Sequence, residues 1–318
     1  MPRSLRPLPL LAHIVFSPLI FVCCDSGPSD GGDTPRVTFT WQAQPSGVSA
    51  DLSEAVFPTP TTGYAVGAQG TILKTTDAGS TWTRLTSGTT GFLASAHFFD
   101  GTSGVVVGQN EVILKTMNAG ATWTPQRQAA SGLLWSVHFP TPTTGYAVGN
   151  DRLLKTTDGG ATWNVVPGAP GGIGVRFLDA STGFVYGDRI RRTGDGSTTW
   201  TDAYVSSGPA ITSVRFEGAT LGFATDHAGG VLKSTNGGTS WTRTQTPVTT
   251  PLRAIDMADA QVGLAVGDGG IVLLTADGGT TWTRSTSGRT ELLDDVHFLD
   301  ANTAFVVGDG GVILKGTR

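Results

Sequence analysis

The sequence predicts an all-β fold: a single seven-bladed β-propeller with four-stranded antiparallel blades. Three observations carry this expectation. Tryptophan recurs at Trp41, Trp82, Trp123, Trp163, Trp200, Trp241 and Trp282, with intervals of 41, 41, 40, 37, 41 and 41 residues. Each interval holds four short β-branched or aromatic runs bounded by turn residues, which is the content of one propeller blade. The chain of 318 residues has 45 glycines, only 14% charged residues, and no sustained helical periodicity beyond its N-terminus. A unit of about 40 residues cannot bury its own apolar faces, so the repeats must pack on one another.

Taken in order, residues 1–24 read as a signal segment. Arg3 and Arg6 precede an apolar run of 13 residues, Leu10 to Val22, too short to span a membrane. The run ends in Cys23 and Cys24, the only cysteines. The segment resembles a bacterial lipoprotein signal, in which a cysteine becomes the lipidated first residue, and this makes Cys23 and Cys24 the lipidation candidates. Ile20, Phe21 and Val22 depart from that pattern, and plain secretion or an uncleaved anchor are the alternatives. Residues 25–36, rich in Gly, Ser, Asp and Pro, read as a flexible tether. The expected location is therefore extracytoplasmic. Residues 37–318 form the propeller and contain no cysteine, which excludes a disulfide or thiolate metal site there.

In the second repeat, Ala94 to Phe99 reads as the first strand, followed by a turn at Asp100–Ser103. Gly104 to Gly108 is the second strand, Gln109-Asn110 a hairpin, Val112 to Thr116 the third, and the fourth begins at Thr122-Trp123. Complete units start at Leu52, Leu93, Leu134, Ile173, Ile211 and Leu252. The last, from Leu292, has only three strands before Arg318. Its Lys315 aligns with Lys74 and Lys115, each of which precedes a Trp by eight residues, yet no Trp follows. The missing fourth strand is Val37 to Gln44, containing Trp41, so the N-terminal strand is expected to complete the last blade. Closure removes two sheet edges that would otherwise template aggregation.

Each ladder tryptophan from Trp82 onward ends a phrase of the form Ser/Thr-x-Asp-x-Gly-x-Thr/Ser-Trp, seen at Thr75–Trp82, Thr156–Trp163 and Thr275–Trp282. Its acidic or amide positions are Asp77, Asn118, Asp158, Asp195, Asn236 and Asp277, and Ser197 replaces a glycine. This is the Asp-box, or BNR repeat, in which the carboxylate accepts backbone N–H groups of its own turn. One acid copied into blade after blade marks scaffold, not a unique site. The longer phrase Gly63-Tyr64-Ala65-Val66-Gly67 through Trp82, with close copies from Gly145 and Gly263, is similar to the Ycf48/Hcf136 type of seven-bladed propeller. That is the photosystem II assembly and stability factor family, and the resemblance covers Val37 to Arg318. It implies a partner-binding propeller, in a family whose members contact nascent membrane subunits through a basic patch.

Two rings of repeat-equivalent residues are candidate sites. On the first strands, period-two alternation sets Val56, His97, His138, Arg176, Arg215, Asp256 and His297 on one face. Glu54, Ser95, Ser136, Gly174, Ser213, Ala254 and Asp295 lie two residues earlier on the same face. If this strand is innermost, Glu54, His97, His138, Asp256, Asp295 and His297 are candidate channel lining. The second ring, Glu111, Asp151, Asp188, Asp226, Asp268 and Asp309 beside Gln69 and Asn110, falls in hairpins that favour such residues for geometric reasons. Arg176, Arg189, Arg191, Arg192 and Arg215 are the candidate partner-binding basic patch.

A net charge of −4 and a pI near 5.7 give no global attraction to nucleic acid or anionic membrane. Sialidases also carry Asp-boxes, but the Arg-Ile-Pro motif of their first blade is absent, and there is no phosphate loop, nucleophile elbow or HExxH helix. A carboxylate pair drawn from Asp256, Asp295 and Glu54 is the remaining hydrolytic alternative. The expected function is thus a non-catalytic, monomeric scaffold or assembly factor without metal or cofactor. Its partner is an unidentified protein, with a membrane protein or complex among the candidates, and the chain itself is expected to touch the membrane only through a lipid anchor. The alternative is a secreted glycan-binding protein or sialidase-like glycoside hydrolase.

Overall fold

The computed structural model describes residues 37–318. The signal, tether and lipidation expectations, Cys23 and Cys24 included, lie outside those residues. Blade one comprises Leu52–Val56, Gly63–Gly67, Thr71–Thr75 and Thr83–Leu85, paired antiparallel in chain order. Five further sheets repeat this meander. The seventh is built from Leu293–Asp300, Thr303–Gly308 and Val312–Thr317, and its fourth strand is Thr40–Ala43 from the other end of the chain. Trp41 lies opposite Gly316, and Gln42 opposite Lys315. The ring closes as the tryptophan count requires.

Two boundaries move. The closing strand spans four residues rather than Val37 to Gln44. The seventh unit starts at Leu293, which pairs with Gly308 as Leu52 pairs with Gly67. Leu292 instead offers its carbonyl to Asp309 N–H, the part Asp51 plays for Ala68.

The first strands of all seven blades touch one another in cyclic order and form the inner wall. Apolar residues fill the spaces between sheets. Ala55, Ala65 and Leu73 of blade one, for example, meet Phe305, Val307 and Ile313 of blade seven. Five ladder tryptophans pack edge-on against the aromatic residue at the end of the inner strand of their own blade, among them Trp82 on Phe57 at 5.9 Å, Trp123 on Phe98 at 6.2 Å and Trp163 on Phe139 at 5.6 Å. Trp282 has Met257 at that place. Trp41 differs. It stacks on Phe39, and its indole N–H donates to Ser285 Oγ of blade six.

The Asp-box turns behave as structural knots. Asp77 Oδ1 accepts Thr81 N–H at 2.8 Å, and Oδ2 accepts the Thr81 hydroxyl at 2.6 Å. These bonds from Thr81 hold the Asp77 carboxyl down to about 2. Gly79 sits at φ +77°, and a Cβ there would lie 2.3 Å from the Phe305 ring of the preceding blade. Ser197 takes the same left-handed conformation at φ +83° without glycine's freedom.

Each turn is latched by its neighbour. Lys74, Lys115, Lys155, Lys233 and Lys315 reach from one blade to a carbonyl in the Asp-box turn of the next, with Nζ–O distances of 2.6–3.1 Å. Several cross an aromatic ring on the way; Lys155 stands 5.2 Å from the Tyr146 centroid. Arg192 fills this slot in blade four, facing Gly237 O. Blade six is the exception, with Leu274. Its neighbour, blade seven, takes its outer strand from the N-terminal side and has no Asp-box, so a cation there would find no carbonyl cluster. Leu274 packs instead with Phe39 and Leu314.

Deletion of residues 37–44 is expected to abolish the cooperative melting transition at the parent temperature; calorimetry showing an unchanged transition would refute ring closure as a stability requirement. Leu274→Lys, which buries an unpaired ammonium, is expected to lower stability by roughly 2–4 kcal/mol in urea unfolding. Lys233→Leu, which removes a latch to Gly278 O, should also lower stability, by about 1 kcal/mol, and no loss would contradict the latch.

Candidate functional site: the central channel and its mouths

Inner strands run from the face that bears the hairpins between second and third strands to the face that bears the Asp-box turns. Six of them carry a β-bulge just after their first residue, as between Leu52 and Glu54 or Leu252 and Ala254. The bulge turns an extra residue toward the axis. The hairpin-face mouth is accordingly lined by Ser53, Ala94, Trp135, Ile173, Thr212, Arg253 and Asp294, with Phe92 and His227 at its rim, around about 390 Å³. Strict alternation hid this level. Its one sequence signal is Trp135, the eighth tryptophan and the only one off the ladder.

Below the mouth the channel narrows to about 120 Å³ between Glu54, Ser95, Ser136, Ser213, Arg215 and Asp295. Blade four has Gly174 at this level. Tyr186 from the adjacent strand fills the vacancy, since a Cβ on Gly174 would lie 2.0 Å from its ring. The third level, toward the Asp-box face, holds His97, His138, Arg176, Arg215, Asp256 and His297 on the inner strands.

Most of these polar groups join one blade to the next. Asp295 accepts Ala55 N–H at 3.1 Å, Glu54 accepts Ala96 N–H at 2.7 Å, and Ser95 accepts Val137 N–H at 3.1 Å. Nearer the Asp-box face, His138 Nδ1 accepts Phe177 N–H at 3.3 Å and Asp256 accepts Phe298 N–H at 2.8 Å. His97 and His138 meet edge to face at 5.5 Å, and His297 stacks on Phe57 at 5.8 Å. Channel lining is therefore also circumferential bonding.

The ring's charges are divided around the wall. Acids sit on blades six, seven and one, and guanidinium groups on blades four and five. Burial, reinforced by the Glu54 carboxylate, pushes Asp295 up to about 8, and burial also raises Glu54. Burial lowers His97 to about 4, and the same cause carries His138 well below the imidazole range, with Arg176 adding to both. Burial and neighbouring Arg215 bring Arg176 down to about 10. At the mouth, burial and Asp309 raise Asp294 to about 7.

The single basic patch does not form. Arg176 and Arg215 lie on inner strands facing the channel, whereas Arg189, Arg191 and Arg192 belong to the third strand of blade four. Arg189 and Arg191 are neutralised by Asp188 and Asp202, at 2.9 Å and 3.1 Å for their nearest oxygens. Arg192 is the blade latch. Adjacency in sequence misled because the strand alternates and bulges between Ile190 and Arg191. Most of the acidic hairpin ring is likewise paired, Glu111 with Arg127 and Arg152, Asp226 with Arg243 and Asp268 with Arg253, whereas Asp309 has no ion pair among the described residues.

Fold and site together define a seven-bladed Asp-box propeller whose channel is knitted by side-chain-to-backbone bonds. Within that class, part of the chain is similar to Ycf48. Residues 35–129 match the family model described as photosynthesis system II assembly factor YCF48. A structure of YCF48 bound to D1 peptide superposes with a TM-score of 0.74 at 17% identity, covering 90% of this chain and 96% of that one. YCF48 from Cyanidioschyzon merolae gives 0.72 at 20% identity, covering 86% and 98%. The GH74 enzyme of Niastella koreensis gives 0.69 at 16% identity, covering 84% of this chain and 52% of that one. No curated protein matches significantly.

Asp295 is protonated more readily folded than unfolded, so its favourable contribution is complete below its unfolded value, near 4, and is lost as pH rises through about 8. The buried histidines act oppositely: their contribution is complete above about 6.5 and lost on acidification. Asp295→Asn keeps an acceptor for Ala55 N–H without the charge. The variant's melting temperature relative to the parent should rise progressively from pH 5 to pH 8; a flat difference would show that Asp295 is ionised throughout.

Proposed function

We propose that this chain is a non-catalytic, extracytoplasmic assembly-type propeller that grips a polypeptide segment of a partner at the hairpin-face mouth. The observation that carries the reading is the fold-wide likeness to a YCF48 structure containing a D1 peptide. The mouth offers a fitting seat. Its volume lies within the range of about 300–1,000 Å³ typical of ligand pockets. Phe92, Trp135 and Ile173 supply an apolar side, while Arg253 and Asp294 supply polar contacts opposite. Trp135 is held in place by its N–H to Asn150 Oδ1 at 2.7 Å and by Phe92 edge-on at 6.3 Å. A lipid at Cys23 or Cys24, followed by residues 25–36, would hold the disc beside a membrane, where a membrane protein is within reach.

The GH74 likeness favours glycoside hydrolysis as the second reading. Against it, Glu54, Asp256 and Asp295 each bond a neighbouring strand's N–H, and the cavity beside Glu54 and Asp295 is below ligand-pocket size.

Crosslinking in the membrane fraction of the source cells should capture one defined protein, with recovery falling about tenfold for Phe92→Ala/Trp135→Ala. Capture unaffected by that pair would overturn the mouth as the seat. Turnover on a glycoside panel, lost in Asp256→Asn, would replace the scaffold reading with the enzymatic one. Cys23→Ser/Cys24→Ser should release the protein into the soluble fraction, and retention on membranes would discard the lipid anchor.

A further inference from the structure

The joints between blades are not all made alike. At the third level of the channel, an inner-strand N–H points to the blade before it, and His138 and Asp256 each supply an acceptor there, to Phe177 and Phe298. The equivalent residue between blades four and five is Arg176, which has donors only. The N–H it faces by repeat position is that of Phe216, and no side chain of the described residues accepts from it. Two donor groups therefore meet here, where the joints after blades three and six pair a donor with an acceptor.

Arg176 is otherwise unengaged. It forms no ion pair or hydrogen bond among the described residues, and its Nε is buried without a partner. An unpaired buried guanidinium loses solvation with no compensating contact. The acids of the channel act on it only at a distance and form no ion pair with it, because Glu54, Asp256 and Asp295 are tied to the wall formed by blades one, six and seven. Beside Arg176 a cleft of about 450 Å³ opens to the Asp-box face, bordered by Phe216, Thr182 and Arg192. Arg192 uses only its Nε on Gly237 O, at 3.4 Å, and its terminal nitrogens remain free among the described residues. Asp179, the acid on this rim, is occupied by the N–H groups of Ser181 and Thr182 at 2.7 Å each.

We propose that this cleft binds a small oxyanion, a carboxylate or phosphate group, that bridges Arg176, Arg192 and the N–H of Phe216. The bound oxygen supplies the acceptor that the sequence omits at this joint, and two guanidinium groups give the fork geometry suited to such a group. The inference is independent of the hairpin-face mouth, which lies at the other end of the channel.

The test is thermal unfolding of the whole chain in inorganic phosphate or in acetate, with sodium chloride holding ionic strength constant. The melting temperature should rise with one of the two anions and saturate, as for a ligand of the folded state, and the responding anion names the class. Arg176→Met should melt no lower than the parent without anion, since it removes an unpaired buried charge, and its response should vanish. Arg192→Lys, which preserves the latch, should weaken the apparent affinity about tenfold. No saturating response to either anion, or an undiminished response in Arg176→Met, would overturn the site. A variant that melts lower without anion would show that Arg176 is a structural group and overturn it equally.

Discussion

Every inner strand of this ring is also the edge strand of its own sheet, and the unpaired N–H groups along that edge are the constraint from which the channel follows. They face a cavity too narrow for free hydration and have no neighbouring strand to pair with. At six of these N–H groups the preceding blade answers with a side chain: aspartate, glutamate, serine or histidine, each carrying an acceptor. The polar character of the channel is thus a consequence of closing a sheet array around an axis. Buried titratable groups are a usual mark of catalysis; here burial in the wall raises Asp295 and Glu54, while their bonds to Ala55 and Ala96 N–H pull the other way.

Much of this was legible in the sequence because repeats expose their own grammar. Blade number, the pairing of the two distant ends and the Asp-box knots all follow from spacing and residue type. The channel-facing phase of His97, His138 and His297 was legible too, from alternation alone. The mouth was not, because a bulge after Leu52 and its equivalents adds one residue to the inward face and breaks the period of two. Nor was the division of the arginines. Five basic residues close in alignment lie on three different strands, and a carboxylate brought in by register, Asp202 opposite Arg191, changes what they present to solvent.

Departures from the repeat are informative because each is matched by a departure next door. Gly174 is small where Tyr186 is large. Leu274 is apolar because the following blade lacks the turn that a lysine would hold. Arg192 replaces lysine at the joint where Arg176 replaces an acceptor, which locates two exceptions at one place on the ring. A chain whose units are nearly interchangeable therefore records, within itself, which positions depend on one another.

The strand exchange at the closing blade also sets an order of events. Thr40 pairs with Thr317, so the last sheet joins residues almost the whole described chain apart. Such a contact has the largest loop to close and is slow to form. Six blades can assemble as they are made, but the short strand around Trp41 must wait, unpaired, until residues 312–317 have left the ribosome. For that interval the first-made strand is the most exposed one, and a chaperone that shields Phe39 and Trp41 would act on the slowest step of the fold.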